Sequence, residues 1–355
     1  MVDALKAIEK RKPLIEVAIE RAIPRRFDER SLRAIAGKPR YAYDARTATK
    51  ALSAPIWDLL DRGGKRWRPA LLLMTAEAVG GKRGLARAKD LVVLSEVIHE
   101  GSLLTDDVED SSELRRGKPC IHKIYGVDVA VNASNAMYFL PLRVLLENKA
   151  GFDDKTLLKL YETYASELTN IHFGQAMDIA WHKSWGTPNE REYLQMCAFK
   201  TGTLARLSAK MGAIAAGGSE AQVEALGAFA EAVGVAFQIQ DDVLNISSAS
   251  FGKQKGFGED IHEGKRTLMV IRAFKTLPKA KANRLKALLD SHPSDSRRIR
   301  EAVALIRESD AIEYAKGKAR EIVRGAWRGA DRVLKPSSAK AELKALADFL
   351  VERDL

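Results

Sequence analysis

The sequence predicts an all-α protein, a single-domain bundle of about 10–15 helices. Three observations lead there. Strand patterns are nearly absent. Apolar residues recur at intervals of three and four in LVVLSEVIHEGSLL, LLKLYETYASELTNI and EALGAFAEAVGVAFQIQDDVLNI, the signature of amphipathic to fully buried helices. Helix-ending residues punctuate the periodic segments, at Gly63-Gly64, Gly80-Gly81, Gly151, Gly186 with Pro188, Gly217-Gly218 and Pro293.

In chain order, residues 1 to about 50 form an N-terminal helical addition. GGKRWRP opens a helix, and the run ending at Asp106-Asp107 forms a long apolar one. A second such run ends at Asp241-Asp242, and residues 310–355, rich in Lys, Arg, Ala and Glu, form terminal helices on the same body. No Ser/Gly/Pro-rich linker is long enough to divide the chain, so residues 1–355 are read as one domain.

With 355 residues and 46% hydrophobic content the chain can bury a large core. Its 58 Lys and Arg against 47 Asp and Glu leave a net charge of +11, which favours anionic partners. No basic block interleaved with aromatics appears, which argues against nucleic acid. Cys120 and Cys197 lack metal-site or disulfide-scaffold spacing and suit a reducing compartment. The stretch MVDALKAIEKRKPLIEVAIERAI contains acids and no continuous apolar segment, and no run of 18 apolar residues occurs. The expectation is a cytoplasmic protein without a transmembrane segment.

The chemistry concentrates around the two aspartate pairs. In a helix, Asp106 and Asp110 lie one turn apart on one face, and Asp107 neighbours Asp110. Like charges so placed repel, and near a helix C-terminus the macrodipole disfavours them further. Divalent cations relieve both penalties, and oxygen ligands without a nearby Cys point to Mg²⁺. Glu109 falls on the opposite face and is expected to be solvated. The second pair, Asp241-Asp242, ends an equally apolar run, where acids are not ordinary surface residues. Two helices that project aspartates near their C-terminal ends would face each other across a bundle cavity. Lys65 and Arg68 stand at a helix start, where backbone N–H groups already favour anions. Arg115 and Arg116 follow the first acidic cluster, Lys200 opens KTG, and Lys255 and Lys265 follow the second. Together these suit two diphosphates, one gripped through metals and one by Arg and Lys.

GGKRWRP, EVIHEGSLLTDDVEDSSELRRGKP, HFGQAMDI, FKTGTL, and FQIQDDVLNI followed by KGFGEDIHEGKRT occur in that order between residue 55 and about residue 270. This set resembles the motifs of trans-isoprenyl diphosphate synthases, within the polyprenyl synthetase family, and is most similar to eukaryote-like geranylgeranyl diphosphate synthases. The resemblance implies a helical bundle around a central cavity and condensation of isopentenyl diphosphate with C5–C15 allylic diphosphates. It also implies Mg²⁺, three ions in all with Mn²⁺ as a substitute, and a homodimer. By position it places Asp106, Asp110 and Asp241 on the metals, with Asp107 and Asp242 in support. Arg115, Lys200 and Lys265 would hold the allylic diphosphate, with Lys255 near it. Lys65, Arg68, His99 and Arg116 would hold isopentenyl diphosphate. Thr201 and Gln238 would line the reaction centre, with Gln175 and Asp178 beside it. Asn245 departs from the third aspartate of many members and is read as a subgroup marker.

Product length depends on what lies below Asp106. Gly101 and Ser102, five and four residues before it, are small, so no bulky floor stands at that level. Tyr138, Phe139 and His172 resemble the deeper aromatic floor of geranylgeranyl-forming members, which makes the C20 diphosphate the expected product. A longer product of C25 or more, or farnesyl diphosphate, is the alternative. A class I terpene cyclase fails on its second metal motif, because Ala249 stands where an acid is required. A di-iron bundle is suggested only by Glu96/His99 and Glu259/His262, and the latter pair sits in a glycine- and lysine-rich loop. A non-catalytic helical subunit would have no need to keep both aspartate pairs.

Overall fold

A computed structural model describes residues 3–247 and 258–352. The all-α expectation holds, with twenty helices and one strand pair among the described residues. The N-terminal stretch contains α1 (Ala4–Glu9), α2 (Lys12–Ala22), α3 (Glu29–Ala36) and α4 (Ala45–Ala48). Asp3, Asp28 and Asp44 cap α1, α3 and α4 by accepting backbone N–H groups of their first turns. Next come α5 (Ala54–Asp61), α6 (Trp67–Ala88), α7 (Val92–Glu109), the hairpin β1 (Leu114–Arg115) and β2 (Lys118–Pro119), α8 (Ile121–Tyr125), α9 (Val127–Phe139) and α10 (Arg143–Glu147). The chain continues through α11 (Asp154–His182), α12 (Glu190–Cys197), α13 (Thr203–Ala215) and α14 (Glu220–Ser247). It finishes with α15 (Glu259–His262), α16 (Leu268–Thr276), α17 (Lys279–Asp290), α18 (Ser296–Arg307), α19 (Ala311–Val333) and α20 (Ser338–Glu352). The count exceeds the expected one because α1, α4, α8, α10 and α15 span only four to six residues, too few to show a helical period.

The chain groups into two compact units. The first comprises Met1–Tyr164, Ser208–Val223 and Pro336–Glu342, and the second Ala165–Leu207, Glu224–Lys335 and Leu343–Leu355. In the first unit α7 is the central helix, packed by α2, α6 and α9. Its first half is buried on nearly every side, Ser95 and Glu96 included, and the apolar Val92, Val93, Leu94, Val97 and Ile98 are fully buried. Each such side chain contributes about 1.5–3 kcal/mol by leaving water. Small residues set how closely the helices approach. A Cβ on Gly101 would lie 2.8 Å from Met137 Cβ of α9, and one on Gly212 would collide with the Leu72 carbonyl of α6. The smallness of Gly101 therefore serves the α7–α9 contact.

In the second unit α16 packs on α17, α18 and α19. Phe229 of α14 meets Trp327 of α19 edge to face at 5.1 Å between ring centroids. Between α12 and α13 the helix widens into a π turn over Ala198–Gly202, which includes the KTG residues. π turns cost regular hydrogen bonding and concentrate at functional positions.

Val127–Glu147, which covers α9 and α10, is long and apolar enough to cross a membrane by length and mean hydropathy (1.3), and 39% of that window is buried. Asn132, Ser134, Asn135 and Arg143 interrupt the apolar run, so counting uninterrupted residues does not reveal this stretch.

Gly212→Ala is expected to destabilise the protein by about 1–3 kcal/mol through overpacking against α6. Gly325→Ala, with nothing within 4 Å of the added Cβ, should be neutral or stabilising. Urea midpoints of the two variants test this, and equal shifts would refute the packing argument.

Candidate active site

The first aspartate pair splits in two. At the C-terminal end of α7, Asp106 and Asp110 are half-buried, whereas Asp107 is 1% exposed. Asp107 Oδ1 accepts from Arg115 Nε at 2.9 Å and also from Arg115 Nη2, which lies 3.7 Å from Asp106 Oδ2. Arg115 is buried, and these carboxylates hold its guanidinium firmly protonated against the cost of burial. The acids and bases of this stretch therefore answer each other directly. Desolvation supplies the reason, since a buried Asp107 without a cation is far costlier than one with it. Glu109 is exposed, as expected.

Local backbone geometry puts Arg115 there. Arg116 (φ 55°) and Gly117 (φ 76°) form the two-residue turn between β1 and β2, both left-handed as a tight hairpin requires. Arg62 Nη1 braces the hairpin by donating to the carbonyls of Arg115 (3.1 Å) and Pro119 (2.9 Å).

Beside this lies a basic cluster in the same unit. Lys65 is exposed just before α6, and Arg68 in its first turn is buried, its Nη1 3.1 Å from His99 Nε2. Burial pulls the Arg68 pKa down to about 10, still protonated at neutral pH. Burial and the surrounding Arg68, Arg116, Arg115 and Arg66 hold His99 well below its usual range, hence neutral. Arg116 donates to Glu100 Oε1 at 2.7 Å, to the Leu59 carbonyl at 3.4 Å and to the Gly63 carbonyl.

The second unit repeats the division of labour. Asp241 is half-buried, and Asp242 is 5% exposed. Tyr193 donates its hydroxyl to Asp242 Oδ2 at 2.7 Å, and Gln238 donates its amide to Oδ1 at 2.8 Å. Burial pushes the Asp242 carboxyl up to about 6, with the two donors pulling the other way. Thr201 donates to Gln238 Oε1 at 2.7 Å, so a single chain runs Thr201–Gln238–Asp242–Tyr193. Lys200 pairs with Asp178 at 2.6 Å, and Lys265 pairs with Glu263 and lies 3.8 Å from Asp260 Oδ1. Gln175 is half-buried one turn before Asp178 on α11. Lys255 lies outside the described residues. Asn245 is buried, and its side-chain and backbone oxygens each accept at 3.3 Å, from Asp260 N and Gly258 N. Its two oxygens thus anchor the start of α15.

The residues expected to control product length separate. Ser102 is half-buried and donates to the His99 carbonyl at 2.8 Å. Tyr138 is buried, its phenol beside the hydroxyls of Thr105 and Ser134, which are themselves 2.5 Å apart. Phe139 is 70% exposed, so of the adjacent aromatic pair only Tyr138 lies inside. His172, in the second unit, is exposed.

Among the described residues no group of three or more His, Cys, Asp and Glu is assembled as a metal site. The donor set nevertheless fits a hard divalent cation. Asp106 and Asp110 offer oxygen only, and an ion such as Mg²⁺ keeps most of its positions for water and phosphate.

Residues 49–306 match the family model described as Polyprenyl synthetase. The chain belongs to the polyprenyl synthetase family. It is 34% identical over 296 residues to a short chain isoprenyl diphosphate synthase of Methanothermobacter thermautotrophicus, covering 83% of this chain and 88% of the relative. It is 32% identical over 304 residues to a geranylfarnesyl diphosphate synthase of Aeropyrum pernix, covering 85% and 94%. Its fold superposes on the crystal structure of a geranylgeranyl pyrophosphate synthetase from Pyrococcus horikoshii with a TM-score of 0.84 and 30% identity, covering 99% of this chain and 98% of the other. This polyprenyl synthetase is a prenyltransferase that makes isoprenyl diphosphates, and its family handles diphosphate with divalent metal.

Several supporting residues escape sequence reasoning. Tyr193 shows no motif, and only its contact with Asp242 reveals it. Gly174 and Gly234 flank the KTG turn, where a Cβ on the first would collide with Lys200 N and one on the second would lie 2.6 Å from Gly202 Cα. Their signal was available, because a glycine inside a helical pattern marks a close backbone approach.

Tyr193→Phe leaves one buried Asp242 oxygen without its donor and is expected to cost about 1–3 kcal/mol. It should also lower turnover by loosening Gln238. Denaturant melts alongside initial rates check this, and unchanged stability would show that the hydroxyl does not hold Asp242.

Proposed function

We propose that this prenyltransferase extends allylic diphosphates with isopentenyl diphosphate and releases chiefly the C20 product, geranylgeranyl diphosphate. The observation that supports the condensation is the matched split of the aspartate pairs. In each, one member is buried and hydrogen-bonded, while the other remains half-buried at the same helix end. The C20 length is supported by small, half-buried Ser102 one turn below Asp106 and by buried Tyr138 beside Thr105.

In this reading Asp106, Asp110 and Asp241 would hold Mg²⁺, which would supply positive charge to the diphosphate. Arg115, Lys200 and Lys265 hold that diphosphate as its bond to the allylic carbon breaks. Charge builds on the allylic fragment at that moment, and the oxygen dipoles of Thr201 and Gln238 stabilise it at fixed orientation. Lys65, Arg68, His99 and Arg116 hold isopentenyl diphosphate so that its double bond attacks the cation. The new carbon–carbon bond forms, a proton leaves the adjacent carbon, and the released diphosphate accepts it. Neutral His99 donates or accepts a hydrogen bond without adding charge. By resemblance to its family the enzyme works as a homodimer.

The outward position of Phe139 supports a second product reading, since a floor lacking one aromatic would let the chain reach C25.

Purified protein with Mg²⁺, isopentenyl diphosphate and separate C5, C10 and C15 allylic diphosphates should yield the C20 diphosphate by mass spectrometry. Chelation of divalent metal should abolish the product. Absence of turnover with all three allylic substrates would overturn the function, and a C25 product would overturn the length alone. Asp106→Asn and Asp241→Asn should each lower kcat about a hundredfold or more, the scale of a lost transition-state contact. Tyr138→Ala should lengthen the product and Ser102→Phe should shorten it, and an unchanged product from both would place the stop elsewhere.

A further inference from the structure

Glu100 is a carboxylate with no access to water in the buried middle of α7. Its Oε1 accepts from Arg116 Nη2 at 2.7 Å and from Arg66 Nη1 at 3.1 Å, and its buried Oε2 has no hydrogen-bond partner among the described residues. Arg66 is itself buried and also donates to Glu96 Oε1 (2.7 Å), Glu16 Oε1 (2.9 Å) and the Leu60 carbonyl (3.1 Å). Every charged neighbour of this carboxylate can be named by its element. Glu96 and His99 come from α7 itself, Arg66 from the turn before α6, Arg68 from α6, Glu16 from α2 through Arg66, and Arg116 from the hairpin. The only charged residue of α9, Asp128, stands in its first turn.

Burying a charge this deeply is expensive, and apolar packing alone would favour a residue such as Leu at position 100. The arrangement makes sense as preorganisation. Arg116 would otherwise swing freely from an exposed hairpin tip, and each substrate-binding event would then bear the cost of ordering it. Fixed between Glu100 and the Gly63 carbonyl, the guanidinium is already in place beside Arg68 and His99.

We propose that Glu100 is a positioning residue for the isopentenyl diphosphate subsite, holding Arg116 and Arg66 in the attitude that receives the diphosphate. This rests on the assignment of Arg68, His99 and Arg116 to that subsite under the proposed function. Glu100 touches neither substrate, and its effect passes through the two arginines. Its charge state makes the subsite sensitive to pH. Burial pushes its carboxyl up to about 7, with Glu96 adding to the rise and Arg116 and Arg66 opposing it. Below that value the carboxyl takes a proton on its open oxygen, and its hold on Arg116 weakens. The same shift has a stability sign. Between the ordinary Glu range and about 7, the folded state keeps a proton that the unfolded chain has released. Stability therefore falls as pH rises through that window, and the residue is retained at a cost to the fold.

The test compares Glu100→Gln and Glu100→Asp with the parent enzyme, measuring KM for each substrate, kcat and thermal midpoint from pH 6 to 8.5. Glu113→Gln, on the exposed hairpin pair with Lys123, is the control that should match the parent. For Glu100→Gln the KM for isopentenyl diphosphate at pH 8 should rise about tenfold, the scale of losing one oriented charged contact. The allylic KM and kcat should stay within twofold. The parent KM for isopentenyl diphosphate should rise as pH falls through 7 more steeply than that of Glu100→Gln, in which only the substrate's own titration remains. Glu100→Asp, which keeps the charge on a shorter side chain, should fall between the two. The thermal midpoint of Glu100→Gln at pH 8 should equal or exceed that of the parent. A KM within twofold of the parent, equal losses on both substrates, or parallel pH profiles would overturn the proposal. If Glu100→Gln does not fold, the purely structural role wins. Absence of turnover in the parent would instead overturn the proposed function itself.

Discussion

A carboxylate buried in a helix must be compensated by charge or by hydrogen bonds, and the surroundings of both aspartate pairs follow from that constraint. Asp107 is 1% exposed near the C-terminal end of α7, where dipole and desolvation both act against it. Arg115 resolves the conflict, and to do so it must be delivered by a tight hairpin whose turn residues take left-handed backbone angles. With Asp107 held, the helix presents Asp106 and Asp110 at fixed angular positions rather than as mobile surface acids. In the second unit the same problem is solved with neutral donors, because Tyr193 and Gln238 occupy both oxygens of Asp242. The first solution bonds a guanidinium to the buried oxygen, and the second bonds neutral donors to it while Lys265 acts only through its charge. The two aspartate-rich regions therefore differ in local field although their motifs look alike.

Much of this was legible in the sequence, and the boundary of legibility has a physical form. The helical class was readable because α6, α7, α11 and α14 are long enough for their apolar period to show. Segments of four to six residues were not readable, since no period develops over one turn. The site was readable where several charged residues of one motif had to act together, as with Asp106 and Asp110 or Lys65 and Arg68. It was unreadable where a single neutral residue from a distant element completes a contact, as Tyr193 does for Asp242. Direction was also unreadable. Nothing local tells that Gly101 turns toward Met137, or that Tyr138 turns inward while Phe139 turns out.

The electrostatics explain how cations crowd together without mutual disruption. Burial, helped by Arg68, Arg116, Arg115 and Arg66, keeps His99 neutral. Glu96, Glu100 and Asp107 stand between them and offset the repulsion. Four guanidiniums against three carboxylates leave this cluster partly compensated and net positive. Such a surface needs little rearrangement when a diphosphate arrives.

The glycines around the KTG turn have a consequence for how such an enzyme can diversify. Gly174 and Gly234 bring the backbones of α11 and α14 against the turn itself, so it is located by main-chain atoms rather than by side chains. Neighbouring side chains can therefore drift without moving Lys200 and Thr201, but the glycines cannot. The residues that would set product length, Ser102 and Tyr138, sit on α7 and α9, away from that main-chain junction in the sequence. Substitutions at Ser102 and Tyr138 would thus leave the backbone frame of the KTG turn in place, so that one turn could serve enzymes of differing product length.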